Sequence, residues 1–341
     1  EIYAFDLNDF TWSVAAPPDE YSALDQFDCV YSLRTANNFP KAMHTYDAVE
    51  YIAEIDSLAY TGGNTGYREC YGPVEMSRYN FTNNEWTFTP ANVGGGGGAG
   101  AIHPITGDWW LMGGHGGGRF SRYVPSENSW YYGPLDNITG QQTNKIAIID
   151  HHRNLFIMMK SQYDGVGLYA MPLDDFIPGV SLLKNYYIET TGPAPSYYSS
   201  GFAYDPVSQK AIAWDGGSEI HILDTETWEW TIMDVPGSAP SATNPTGTFG
   251  RFLYSELLDK IVLVNKHNEN VYLLDLRGGQ SEKTTFDLTS TVTGDVPFTT
   301  AVGFKKGDVP DTPTLDLTDY QVEVKRRWPD NSVKHAVFSG V

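Results

Sequence analysis

The chain has 341 residues, with 22 Lys+Arg against 42 Asp+Glu and a formal net charge of −20. So acidic a chain repels phosphate backbones, which excludes nucleic acid as its natural partner, and no apolar run approaches the roughly 18–20 residues of a membrane helix. Aromatics at 14% argue for a packed core and against disorder.

The predicted elements are short strands, and they repeat. Residues Tyr3 to Trp12 open the series. Tyr79 to Trp86 and Tyr123 to Trp130 have the same spacing from aromatic to Trp. Tyr169 to Phe176 follows with Phe in place of Trp, then Ile222 to Trp230, then a degenerate copy from Val271 to Arg277. The steps between the closing aromatics are 74, 44, 46 and 54 residues. A period of about 45–50 with an insertion in the first unit is the size of a propeller blade. Within each unit an apolar strand, a turn and a second apolar strand precede the aromatic pair. Several second strands end in Gly-Gly: Gly62-Gly63, Gly113-Gly114 and Gly216-Gly217. Short alternating runs split by Gly, Asn, Asp and Pro read as antiparallel strands.

This pattern resembles kelch-type, galactose-oxidase-like β-propeller repeats of the kind found in bacterial and phage proteins, over roughly residues 1–288. The expected fold is all-β: a kelch-like β-propeller at 1–290. Five full four-stranded blades are expected, with first and second strands near 47–62, 98–114, 144–160, 200–217 and 249–266. Residues 1–15 would supply part of another blade. The resemblance implies a ring of about six or seven blades, closed by chain not present in this sequence. Galactose oxidase uses a copper site with a Tyr–Cys crosslink. Cys29 and Cys70 have no such context, so that activity is not carried over and no cofactor or metal is expected. Whether the two cysteines pair is left open by their spacing. Sequons at Asn80 and Asn137 are compatible with secretion.

After Gly294 the pattern changes. The last 41 residues carry six basic and six acidic side chains, so the first 300 hold the whole −20. A strand, a Pro/Asp loop and a hairpin with Trp328 and Val333 at its neck are predicted there. The run from Lys306 to Pro310 and that from Arg327 to Ala336 resemble the opening of the RIFT-barrel domain of the exo-rhamnogalacturonan lyase family. A second, incomplete β domain is therefore expected at 291–341.

Propellers bind ligands where the loops entering the first strands converge. Candidate ligand-binding residues are His44, Tyr46, Tyr197, Tyr198 and Arg251, with His115 and Arg119 from the Gly-Gly side. Aromatic rings stack on sugar C–H faces, and forked donors pair with hydroxyls or uronate carboxylates. The glycine run 94–98 has no Gly-Lys-Ser/Thr and no helix behind it, so it reads as a rim loop and not as a phosphate cradle. His103, His115, His151 and His152 lack metal-ligand spacing. Asp56, Asp108, Asp205 and Asp259 read as turn residues. The expected function is non-catalytic recognition of a glycan or protein surface, outside the cell or on a virion, as in a phage tail or fibre component. A homo-oligomer or larger assembly is compatible with it. The alternatives are a propeller polysaccharide lyase acting on acidic glycans and a structural assembly module.

Overall fold

The computed structural model describes residues 2–16, 40, 45–61, 75–94, 98–114, 118–137, 139, 145–161, 167–198, 200–235, 239–241, 247–265, 270–277, 321–327 and 333–339. The chain divides into two units, Glu1–Gly279 and Gln280–Val341. The boundary expected at 290 falls outside the described residues.

The first unit is an antiparallel five-bladed β-propeller. A two-stranded hairpin comes first, β1 (Ile2–Asp6) with β2 (Thr11–Ala16). The first blade is β3 (Val49–Ile52), β4 (Ser57–Thr61), β5 (Glu75–Asn80) and β6 (Glu85–Pro90). The second is β7 (Ala99–Ile102), β8 (Trp109–Met112), β9 (Gly118–Val124) and β10 (Ser129–Asp136). The third is β11 (Lys145–Asp150), β12 (Leu155–Lys160), β13 (Gly167–Pro172) and β14 (Tyr187–Ile188). The fourth is β15 (Gly201–Asp205), β16 (Lys210–Trp214), β17 (Glu219–Asp224) and β18 (Glu229–Asp234). The fifth has three strands among the described residues, β19 (Phe252–Ser255), β20 (Lys260–Leu263) and β21 (Tyr272–Leu274), where four were expected.

One turn is used again and again. Four-residue loops follow β1, β3, β5, β9, β11, β15, β17 and β19. The last loop residue always has positive φ: Phe10, Asp56, Asn84, Asn128, Asn154, Gln209, Trp228 and Asp259. Asp and Asn fill five of these eight positions, because a short polar side chain tolerates the left-handed region best. A Tyr five residues earlier often caps the turn. Its hydroxyl donates to Asp56 Oδ1 from Tyr51 (2.8 Å), to Asn84 Oδ1 from Tyr79 (3.0 Å), to Asn128 Oδ1 from Tyr123 (2.8 Å) and to Asp259 Oδ1 from Tyr254 (2.7 Å).

The aromatic repeat is a cross-strand pair between third and fourth strands. Tyr79 faces Trp86 and Tyr123 faces Trp130, with ring centroids 5.2 and 5.1 Å apart. Phe5 faces Trp12 at 4.9 Å. Such pairs add about 0.5–1.5 kcal/mol each beyond burial. In the third blade the structure corrects the sequence alignment. The partner of Tyr169 is Tyr187, and Phe176 lies outside the strands. Residues 173–186 are inserted between β13 and β14, and Phe176 packs edge-on against Trp110 (5.2 Å) and Phe120 (5.6 Å). Spacing alone could not separate an insertion from a substitution.

The core lies in layers between blades. Ile52 and Met76 of the first blade meet Trp109 and Leu111 of the second. Trp110, Met112 and Phe120 meet Phe156 and Met158. Ile146 and Ile157 meet Phe202 and Leu223, and Ile212 meets Phe252 and Ile261. Polar bonds tie the same neighbours at the turn end. Thr225 Oγ1 donates to buried Asp150 (2.7 Å), and the Arg277 fork grips Asp205 with two bonds of 2.6 Å.

The two described Gly-Gly pairs answer different needs. A Cβ on Gly113 would lie 1.6 Å from Val93 O, so backbone crowding forbids any side chain. Gly216 and Gly217 have φ of 118° and 75°, which L side chains rarely adopt.

In the second unit β22 (Gln321–Arg327) pairs with β23 (Val333–Ser339), from Gln321 opposite Ser339 to Arg327 opposite Val333. Trp328, expected at the neck, falls outside the described residues. So do Cys29 and Cys70.

Candidate functional site

Propeller sheets stand radially, so each first strand presents its backbone edge to the axis. Here the first strands of all five blades line one channel of about 710 Å³. Residues 46–51 contribute from the first blade, 101–104 from the second, 147–151 from the third, 202–206 from the fourth and 248–256 from the fifth.

Asp47 sits where three blades meet. Its Oδ2 accepts from the Ala147 N–H at 2.8 Å, and its carboxylate also accepts from the Gly100 N–H. Residue 47 forms a parallel bridge to Ala99. Two inner strands thus have edge amides satisfied by one side chain, which removes the unpaired donors of an exposed edge. Burial pushes the Asp47 carboxyl well above the usual range, the charge of Glu50 pushes the same way, and the two amide bonds oppose both. Glu50 also lines the channel. Burial raises its carboxyl from the ordinary 4.5 to about 8. Among the described residues its carboxyl has no hydrogen bond or ion pair.

At the loop end, the Tyr46 ring meets Phe249 edge-on at 5.2 Å, which brings the first and fifth blades together. At the turn end, the lining includes Tyr51, His151, Tyr204, Tyr254 and Glu256. Burial and the neighbouring His152 hold His151 below its ordinary range, so it is neutral at pH 7. The Tyr204 hydroxyl and His152 Nδ1 are 2.9 Å apart. Burial, then a hydrogen bond to Asp150, drives the Tyr204 phenol far up. Tyr51 is pushed up to about 12 by burial and its bond to Asp56.

Of the seven residues expected to bind ligand, five are described, and two of these five line the channel. Tyr46 and Arg251 line the channel. The Arg251 guanidinium is spent on backbone: Nε donates to Thr248 O (3.1 Å), Nη1 to Asn265 O (2.9 Å) and Nη2 to Gly247 O. Arg119 lies on β9 and donates to Gly133 O at 3.0 Å. Tyr197 packs against the layer between the third and fourth blades, and Tyr198 is exposed on the same connection. His44 and His115 fall outside the described residues. Among the described residues no cluster of three His, Cys, Asp or Glu could hold a metal ion.

Sequence reasoning passed over Asp47 and Glu50, although both adjoin Tyr46. The available signal was weak, two acids at the head of an apolar first strand, because other first strands also carry charge: Lys145 and Asp150 in β11 and Asp205 in β15. Asp56 is a turn residue, as expected, but Asp108 also anchors Arg122, and Asp205 and Asp259 both anchor Arg277.

No protein-family model matches the chain, and no curated protein matches it. Solved structures that resemble it include an auxiliary nutrient binding protein from Bacteroides thetaiotaomicron, 11% identical, covering 65% of this chain and 57% of that one, with a TM-score of 0.41. Another auxiliary nutrient binding protein, from Bacteroides ovatus, is 12% identical over 72% of this chain and 61% of its own, with a TM-score of 0.42. A nidogen/laminin complex is 11% identical over 67% of this chain and 74% of its own, at 0.39. The chain thus spans less than two thirds of either nutrient binding protein.

Proposed function

We propose that the chain is a non-catalytic recognition module that holds a saccharide, free or displayed on a larger partner, in the central channel. One observation carries this reading: five blades converge on a single cavity of about 710 Å³ that combines aromatic rings with carboxyl acceptors. A cavity of that size suits a small ligand with a few placed polar groups. Rings such as Tyr46 and Tyr51 offer faces to sugar C–H bonds, and carboxyls accept from hydroxyls.

A lyase acting on acidic glycans fits less well. Such an enzyme needs a cation to clamp the uronate and stabilise the developing charge. Each nitrogen of Arg251, the arginine of the lining, already donates to a backbone carbonyl. Besides Arg251, the ionisable groups of the lining other than tyrosines are carboxyls and a neutral His151, which offer a uronate no cation.

The repeat of aromatic pairs and second-strand glycines supports a kelch-type propeller. The hairpin in the second unit, paired without interruption from Gln321 to Arg327, supports reading it as the start of a RIFT barrel. An extracellular or virion-surface setting remains part of this proposal and is supported by the sequons and the acidic composition.

The test is a glycan array with the full chain, followed by product analysis on each hit. Binding without turnover is expected, and Tyr51→Ala should weaken it several-fold while circular dichroism is unchanged. Accumulation of cleaved product would overturn the non-catalytic reading. Binding untouched by both Tyr51→Ala and Tyr46→Ala would move the site out of the channel.

A further inference from the structure

We infer that the channel takes a ligand bearing a protonated amine, an amino sugar or a similar organic ammonium, seated against the Asp47 and Glu50 carboxyls. This deepens the recognition role proposed above and rests on it.

The first argument is the charge left over after every internal pairing. Five ionisable groups other than tyrosines line the channel: Asp47 and Glu50 from the first blade, His151 from the third, Arg251 and Glu256 from the fifth. Arg251 is turned to three backbone carbonyls. His151 is held neutral by burial and by His152. The carbonyls occupy the Arg251 donors without cancelling its charge, and three carboxyl groups share the lining with that one cation. Asp47 has two amide donors, which fill part of its acceptor capacity without bringing a full positive charge. Glu50 has neither donor nor cation among the described residues.

The second argument is desolvation. Two carboxyls that line one cavity, with the Glu50 charge acting on Asp47, are unfavourable as a pair of anions. A proton relieves them, and so does a cation. An ammonium group brings one charge and three donors in a compact head. The Tyr46–Phe249 pair and the Tyr51 and Tyr254 rings supply π faces, which attract organic cations. A metal ion is the weaker candidate, because the described residues bring no third ligand to the pair. The net charge of −20 adds long-range attraction for any cation.

The exchange balances simply. In the empty channel Glu50 keeps its proton up to about pH 8. When an ammonium arrives, the Glu50 O–H bond breaks, the proton passes to buffer, and the carboxylate pairs with the ammonium. Asp47, His151, Glu256, Arg251 and the tyrosines Tyr46, Tyr51, Tyr204 and Tyr254 are the other titratable groups lining this space.

Isothermal titration calorimetry on the full chain near pH 6.5 tests the idea, with D-glucosamine, D-glucose and D-glucuronate as matched probes. Two buffers of different ionisation heat report protons released. Glucosamine is expected to bind about tenfold or more tightly than glucose, as one partly desolvated charged bond provides, and glucuronate most weakly. Binding of glucosamine should release on the order of one proton. Glu50→Gln should erase both the preference and the proton release while circular dichroism is unchanged. Equal affinity for glucosamine and glucose, or a preference that survives Glu50→Gln, overturns the inference and leaves the recognition role standing. No binding of any probe also overturns it, and a blank glycan array in addition overturns the recognition role itself.

Discussion

Glu50 gives the sharpest test of how the channel is built. Folding moves its carboxyl from the ordinary 4.5 to about 8, with burial as the cause. The unfolded chain loses this proton near 4.5, whereas the folded chain keeps it to about 8. Between those values the folded state holds more protons, so rising pH erodes stability. The gap is 8 − 4.5 = 3.5 pH units, and at about 1.36 kcal/mol per unit the ceiling is about 5 kcal/mol by pH 8. Water in the channel screens part of it, leaving on the order of 2–3 kcal/mol. Glu50→Gln keeps the shape and removes the titration. The variant should match the parent at pH 4.5 and exceed it by about 2–3 kcal/mol at pH 8. Guanidinium unfolding followed by tryptophan fluorescence at pH 4.5, 6 and 8 reads the difference directly. Asp47 is displaced in the same direction, so some slope persists in the variant. A parent–variant difference that is flat across this range would refute the reasoning, as would a variant that loses stability at pH 8.

Three further outcomes follow from the blades themselves. Burial raises the Asp205 carboxyl, but the Arg277 fork together with Ser208 and the Val207 amide more than offsets it, so Asp205 lies below its ordinary range. Arg277→Met should therefore destabilise by about 2–4 kcal/mol at neutral pH. The loss should shrink as pH falls through the carboxylate range, measured by urea melts at pH 7 and pH 4. Asn128 holds φ 48° and caps Tyr123. Asn128→Ala should destabilise by about 1–2 kcal/mol and Asn128→Gly by less, since glycine keeps the backbone at ease; calorimetric melting temperatures rank the two. Lys145 is fully buried opposite Lys160 on β11 and β12. Burial, then the Lys160 charge, lowers it from 10.5 to about 7, against the pull of Asp136. The unfolded chain binds the extra proton between those values, so the parent gains stability from pH 7 to 10. Lys145→Met should lose ground to the parent over that interval in pH-dependent denaturant melts.

The architecture was legible because a blade is a short local unit that repeats. The first and second strands at 145–150 and 155–160, and at 201–205 and 210–214, fall where the apolar runs and turns placed them. Tyr–Trp spacing worked wherever the turn between third and fourth strands had four residues. It failed at Phe176, because an insertion mimicked the same spacing by chance. The site was far less legible. Aromatic and arginine residues near predicted loops were chosen by chemical type, and type does not say where a side chain ends. Arg251 has the chemistry of a ligand clamp, yet its nitrogens are each a bond or less from a carbonyl of its own blade. No local signal says that residue 47 will reach Ala147, because that contact spans 100 residues and three blades.

That last contact ties structure to function in a way that constrains any attempt to separate them. A propeller has to dispose of the amides along its inner edges, and here one aspartate serves two blades at once. Serving them requires a carboxylate at the axis, so ring closure by itself makes the channel acidic. Asp47→Asn would confuse the two roles, since it leaves the ring with a mixed donor and acceptor facing two N–H groups. Glu50 makes no such bond among the described residues, and its burial is unfavourable to the fold at neutral pH. A side chain that weakens the fold while facing a cavity is accounted for by what enters that cavity. If Glu50→Gln stabilises the protein and also removes amine selectivity, the same carboxyl accounts for both effects. If it stabilises and selectivity is unchanged, Glu50 does not read the ligand, which is recognised elsewhere along the channel.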